Sequence, residues 1–301
     1  MATRETVRIQ SIETDVFLDV WLYKPSGDGP FPVVVAGPGM TVTKDAGFQG
    51  LGKRWAEDAG FASLMLDFRR LGASGGAPRN LLSVHTHLED YRSVIEWARA
   101  RPELFRADKI VVFGSAMSAL QMAELVVHDG ALAGGMAQCP LLDGYATLSS
   151  YTPNPRLLFW AGVDYLRGKL GLSPVYVRAV GKPSEFAFLN APSTYPGFVH
   201  MFSHSDTPFD RAPNVLAPRL SFEVMGTRPG LELKHAKCPV LLVQGKEDDL
   251  IPFSITSNLA AQAGDHVKLV VSPGGHFDVV EGGKGYEVNL QAQLEFLRAL
   301  M

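Results

Sequence analysis

Val111-Val112-Phe113-Gly114-Ser115-Ala116-Met117-Ser118-Ala119 passes from a β-branched apolar stretch through glycine into small residues and then into a helical pattern. A strand that turns this sharply into a helix has the form of a nucleophile elbow, Gly-x-Ser-x-Gly. Its central residue is pushed above the sheet on a strained turn, and its small flanks let strand and helix approach. Gly114 and Ser118 stand at the flanks and Ala116 at the reactive position. A methyl group has neither a lone pair nor a removable proton, so the slot lacks only its hydroxyl. The active form is therefore expected to carry serine, or less readily cysteine, at 116. Alanine there reads first as a deliberate replacement of the nucleophile and second as a natural pseudoenzyme that has lost it.

Outward from the elbow, apolar strands alternate with amphipathic helices. The spacing predicts an antiparallel pair at a sheet edge (Val7 to Ile12 and Val16 to Tyr23), then a strand at Pro32 to Ala36, a helix over Phe48 to Ala59 and a strand at Ala62 to Asp67. A helix over Leu88 to Ala100, a strand at Lys109 to Phe113, a helix over Met117 to Val127 and a strand at Leu132 to Ala137 follow. Strand–helix alternation implies parallel βαβ units buried on both faces and joined by right-handed crossovers. The pattern stops near Asp143 and gives way to a segment rich in aromatics and prolines, with helical patches at Leu157 to Lys169 and Ala217 to Met225. It resumes with Cys238 to Gln244 as strand, a helix near Ser254 to Ala263, a strand at Val267 to Ser272 and a helix over Tyr286 to Leu300. The expected organisation is an α/β core in two parts, residues 1–147 and 236–301, with residues 148–235 inserted as a cap over the strand ends.

Two further strand ends carry chemistry. Val240 to Gly245 runs into Lys246-Glu247-Asp248-Asp249, and a carboxylate there can orient a histidine. Val270-Val271-Ser272-Pro273-Gly274-Gly275-His276 presents that histidine on a loop. The chain order of nucleophile slot, acid and base is that of α/β-hydrolases. His276 is the expected general base, and Asp248 fixes its tautomer, with Asp249 the alternative acid. Preorganised N–H donors for an oxyanion are expected from Met117, just after the slot, and from Met40 in Pro38-Gly39-Met40. A carboxylate in the slot would be needed for epoxide or dehalogenation chemistry, and alanine excludes it.

Other conspicuous residues read as structural. Asp67-Phe68-Arg69-Arg70 to Gly76 lacks the Gly-Lys-Ser/Thr ending of a phosphate cradle, and is expected to be a loop with an internal ion pair. His85 and His87 lack companions at metal-ligand spacing and are expected to start a helix. No cofactor and no metal are expected. Cys139 and Cys238 read as buried free thiols.

Bulk composition sets outer bounds. The 301 residues, 46% hydrophobic and 20% charged with a formal charge of −3, suit a globular protein with a large core. No basic field points to nucleic acid or an acidic membrane, and no apolar run suits a bilayer span or secretion signal. A cytoplasmic protein is expected, with neither nucleic-acid nor membrane partners.

On these motifs the chain resembles the α/β-hydrolase fold almost end to end. More narrowly it is similar to polyketide transferases and related hydrolase-like cyclases, with cores like dienelactone hydrolases. That likeness rests on Gly37-Pro38-Gly39-Met40 with Thr43-Lys44-Asp45, Asp67-Phe68-Arg69 through Gly76, Glu89-Asp90-Tyr91-Arg92, the elbow, and Gln138-Cys139-Pro140-Leu141-Leu142-Asp143-Gly144. The resemblance implies a doubly wound, mostly parallel sheet and an acyl-enzyme cycle. A small-molecule polyketide acyl group, presented as a thioester by an acyl carrier protein of a polyketide synthase, would pass to a hydroxyl at 116. Water, an alcohol or an internal hydroxyl would then release it as acid, ester or lactone. A homodimer fits this class. A general esterase or lactonase, and a non-catalytic ligand-binding protein, are the alternatives.

Overall fold

The computed structural model describes residues 1–301. Strands β1 (Thr3–Gln10), β2 (Phe17–Lys24) and β3 (Phe31–Gly37) precede helix α1 (Gln49–Ala59), and β4 (Ala62–Leu66), α2 (Val84–Arg99) and β5 (Phe105–Ser115) follow. A 3-10 turn at Ala116–Ser118 leads into α3 (Ala119–His128) and then β6 (Gly134–Gln138). Helices α4 (Gly144–Ser149), α5 (Pro155–Lys169), α6 (Thr194–Phe202) and α7 (Leu220–Gly226) then enclose the two-residue strands β7 (Val177–Arg178) and β8 (Val215–Leu216). The core resumes with β9 (Val240–Gly245), α8 (Phe253–Ala263), β10 (Val267–Ser272) and α9 (Tyr286–Ala299).

The eight-stranded sheet has the order β1-β2-β4-β3-β5-β6-β9-β10. β1, β2 and β4 pair antiparallel, and from β4 to β10 the strands run parallel. This is the α/β-hydrolase fold. β3 and β9 are buried along almost their whole length, as strands covered by helices on both faces must be. Two glycines of β6 show how close that cover is. A Cβ on Gly134 would lie 2.9 Å from Leu300 beside α9, and one on Gly135 would lie 2.5 Å from Val126 of α3. Because the core strands are parallel and in register, Gly37 beside Gly114, Ser115 beside Gln138 and Gly245 beside Ser272, the loops after β3, β5, β6, β9 and β10 leave one edge of the sheet together. Ligand sites of open α/β sheets form at that edge.

Several boundaries differ from the sequence reading for local reasons. β1 begins at Thr3 and ends before the exposed Ile12. α2 starts four residues early because Ser83 caps it, its Oγ accepting from the Thr86 N–H. β5 runs back to Phe105, which pairs with Phe31 across a register shift. α4 and α6 add helix to a segment whose pattern is mostly irregular. His85 and His87 do lie in the first turn of α2: His85 meets Glu89 on the surface, whereas His87 is buried with its ring 3.9 Å from Phe68. Burial, then Arg69 and Arg70, lowers the His87 pKa to about 3. The expected ion pair within the loop after β4 does not form. Asp67 instead meets Lys44 at 2.6 Å, and Arg69 turns into α2 to meet Asp90 at 2.6 Å, with Glu13 and Glu89 at 2.9 Å. Both side chains are nearly inaccessible, so their partners come from elements packed over them rather than from loop neighbours. Both cysteines are free and buried. No helix is long and apolar enough to cross a membrane.

Candidate active site

The turn at the end of β5 holds Ala116 at φ +48°, a left-handed conformation that a non-glycine residue adopts only when its surroundings enforce it. Gly114 is part of that enforcement: a Cβ there would lie 2.4 Å from the Ser118 carbonyl oxygen. Gly114→Ala should therefore splay β5 from the turn and cost about 1 to 3 kcal/mol, measured as a fall in chemical-denaturation midpoint; an unchanged midpoint would show that the turn yields freely.

Ser118 does more than stay small. Its Oγ accepts from the Ser115 N–H at 3.1 Å and lies within donating distance of the Gly37, Pro38 and Ser115 carbonyl oxygens at 2.8, 2.7 and 3.0 Å. The elbow is thereby tied to the loop after β3. On its other side Ser115 Oγ accepts from Gln138, whose side chain leads through Asn289 and Gln293 to the Trp55 indole by successive bonds of 2.7, 2.7 and 3.0 Å. This buried chain joins α1, α9, β6 and the elbow. It is invisible in the sequence, because its members are scattered polar residues within otherwise apolar patterns.

His276 Nδ1 lies 2.8 Å from Asp248 Oδ2. Asp248 also accepts from the Gln244 amide at 2.7 Å and from the Leu250 and Ile251 N–H groups at 2.8 Å. Burial pushes its carboxyl up, but the facing His276 ring and these N–H groups outweigh burial and hold it below the usual carboxylate range. A charged Asp248 fixes the ring so that Nε2 is left without a protein partner. Asp249 does not reach the histidine: its carboxylate accepts from the Ser193 N–H at 3.0 Å and from the Ser193 hydroxyl, just ahead of α6.

Ala116, His276, Met40 and Gly39 share a cavity of about 50 Å³, bordered also by Phe198 and Met201 of α6. The fit is close, since a Cβ on Gly197 would lie 2.1 Å from the Phe277 ring. The Met40 N–H donates to no protein acceptor. Met117 follows Ala116 in the turn with its side chain buried and outside the cavity wall. Cys139, at φ +41°, reads in the sequence only as a core thiol; it borders the same cavity and donates to the His276 carbonyl at 3.4 Å. Ligand atoms of Cys139, Asp248 and His276 lie within 4.8 Å of one another. A metal there would have to displace the Nδ1–Oδ2 bond and deprotonate a thiol that burial, and then the Asp248 charge, pushes well above its ordinary pKa. The donor set suits an acid–histidine pair better than a cation.

The chain is similar to known proteins along nearly its whole length. Over 297 residues the chain is 27% identical to the quorum-quenching protein AidA of Acinetobacter baumannii, covering 97% of this chain and 94% of that protein. It is 23% identical to the polyketide transferase grgF of a Penicillium species, over 93% of this chain and 92% of that one. The crystal structure of GrgF superposes with a TM-score of 0.77 at 23% identity, over 99% of both chains. The structure of DcsB in complex with its substrate analogue superposes with a TM-score of 0.80 at 20% identity, again over 99% of both chains. Residues 33–283 match the alpha/beta hydrolase family. With that match across most of its length, the chain belongs to the alpha/beta hydrolase family.

Proposed function

We propose that this chain is the framework of a serine-type acyl-transfer enzyme whose nucleophile is the hydroxyl of a serine at position 116. The observation that carries the reading is the His276–Asp248 pair at 2.8 Å, bordering the same cavity as a residue held at φ +48° on the elbow. In the cycle, His276 Nε2 takes the proton of the hydroxyl at position 116 as its oxygen bonds to the acyl carbon. The Met40 and Met117 N–H groups hold the oxyanion, and the leaving thiol or alcohol departs with the proton from His276. Water or an acceptor hydroxyl then repeats the step in reverse order. Relatives named polyketide transferase support a polyketide-type acyl group as the cargo and a carrier-bound thioester as its source. A relative named thiohydrolase supports release to water as one outcome. With alanine at 116 the covalent route is closed.

The alanine itself favours a second reading, a ligand-binding protein that keeps the pocket without turnover. The two separate cleanly by experiment. Ala116→Ser protein mixed with acyl thioesters of several chain lengths should show an acyl adduct on the introduced serine by intact-mass and peptide mass spectrometry. A complete lack of adduct, with ligands still bound tightly, would leave the binding role.

A further inference from the structure

We propose that the chain as it stands, with Ala116, hydrolyses small activated acyl esters and thioesters by direct attack of water, with His276 as general base and no acyl-enzyme. The inference rests on the reading of His276 and Asp248 as an acid–base pair, and goes beyond it by removing the need for a protein nucleophile.

The cavity beside Ala116 supplies the space. At about 50 Å³ it has room for at least one water, and it offers the polar partners that a water requires: His276 Nε2 and the free Met40 N–H. A serine side chain would take part of this volume, whereas a methyl leaves it open between the base and the carbonyl of a bound acyl group.

Neither the other hydroxyls nor the thiol around the elbow is hydrogen-bonded to the His276 ring. Ser118 Oγ is turned to the Gly37 and Pro38 carbonyls. Ser115 Oγ accepts from Gln138. Cys139 is buried with its thiol donating to the His276 main-chain carbonyl, and burial keeps it protonated. None of these three is hydrogen-bonded to the imidazole, so a water in the cavity is the proton donor that Nε2 meets.

The step balances without any further reagent. His276 Nε2 removes a proton from water as the water oxygen bonds to the acyl carbon. The resulting oxyanion collapses, the C–S or C–O bond to the leaving group breaks, and the leaving thiolate or alkoxide takes the proton back from Nε2. The products are a carboxylic acid and a thiol or alcohol. A small acyl group leaves room for the water beside Ala116.

Phenyl thioacetate is a suitable probe, with thiophenol release followed on the purified Ala116 protein. The expected result is a rate above buffer that falls roughly 100-fold in His276→Gln, the usual contribution of a positioned base, and at least about tenfold in Asp248→Asn, which frees the ring. Gly39→Ala gives a control that does not touch the pair. Its methyl would sit 3.5 Å from that of Ala116, an ordinary contact, so the protein folds while the water space is filled, and the rate should again collapse. Intact-mass spectra taken during turnover should show unmodified protein. A rate equal to that of His276→Gln, or an acetyl group found on Cys139 or Ser115, overturns the proposal. Neither outcome bears on adduct formation by Ala116→Ser, so the two ideas fail separately.

Discussion

Ala116→Ser should raise thioester turnover over the present chain by roughly four to six orders of magnitude, the scale on which loss of a serine nucleophile disables such sites. The gain follows because His276 is already paired with Asp248 and the elbow is already held. Asp248 is held charged by His276 and by three hydrogen-bond donors besides, and the ring is fixed with Nε2 free. The elbow is bound on both sides, through Ser118 to the loop after β3 and through Ser115 to the chain of buried amides. A serine introduced at φ +48° inherits a conformation already imposed by its neighbours, so no reorganisation opposes the gain. Because nucleophile and base act as a unit, adding His276→Gln to Ala116→Ser should remove nearly all of it. Steady-state rates on phenyl thioacetate for the four proteins of this cycle test the claim. A gain below about tenfold, or one that survives loss of His276, would mean that the pair does not serve position 116.

How far this site can be read from sequence depends on how local each signal is. The elbow, the acid at the end of β9 and the histidine after β10 stand in short stretches whose own pattern places them at strand ends, and parallel register carries all of them to one edge. Between Asp248 and Asp249 strand-end position alone does not decide, and it is the spacing to Gly245 and Pro252 that favours Asp248. The two are adjacent, and only the fold shows that the second turns to Ser193 ahead of α6. The Arg69 cluster misleads for the same reason: its partners Glu13, Glu89 and Asp90 come from two other segments, and a pattern of neighbours favours the wrong pair. Cys139 is legible as buried but not as a wall of the cavity, since its role follows from the left-handed turn after β6. The aromatic segment shows its helices poorly because its elements are short and held by contacts with the core. Of its aromatics, the cavity uses Phe198, together with Met201, which no aromatic pattern could signal.

Lys44→Met should destabilise the fold by about 3 to 5 kcal/mol, the usual result of leaving a buried charge without its partner. For a chain of this size that is a fall in Tm of roughly 10 °C. Lys44 is 4% exposed and its ammonium meets Asp67 at 2.6 Å and Asp19 at 2.8 Å. Its main-chain N–H also donates to Asp67 at 2.8 Å, so the pair anchors the loop that follows Met40. Burial already raises the Asp67 carboxyl against the pull of Lys44, and removing the ammonium frees burial to raise it further. The folded protein then holds a proton that the unfolded chain has released, so stability falls as pH rises from the ordinary carboxylate pKa through the raised one. The variant's deficit should accordingly be smallest in acid and grow towards neutral pH. Adding Asp67→Asn removes the orphaned charge while keeping a carbonyl for the Lys44 or Ala73 N–H, and should recover about half of the lost Tm. Thermal melts of parent, single and double variants at about pH 5 and pH 8 decide it. A Lys44→Met deficit that stays constant with pH, or one that Asp67→Asn deepens, would show that packing of the lysine stem rather than its charge holds the loop.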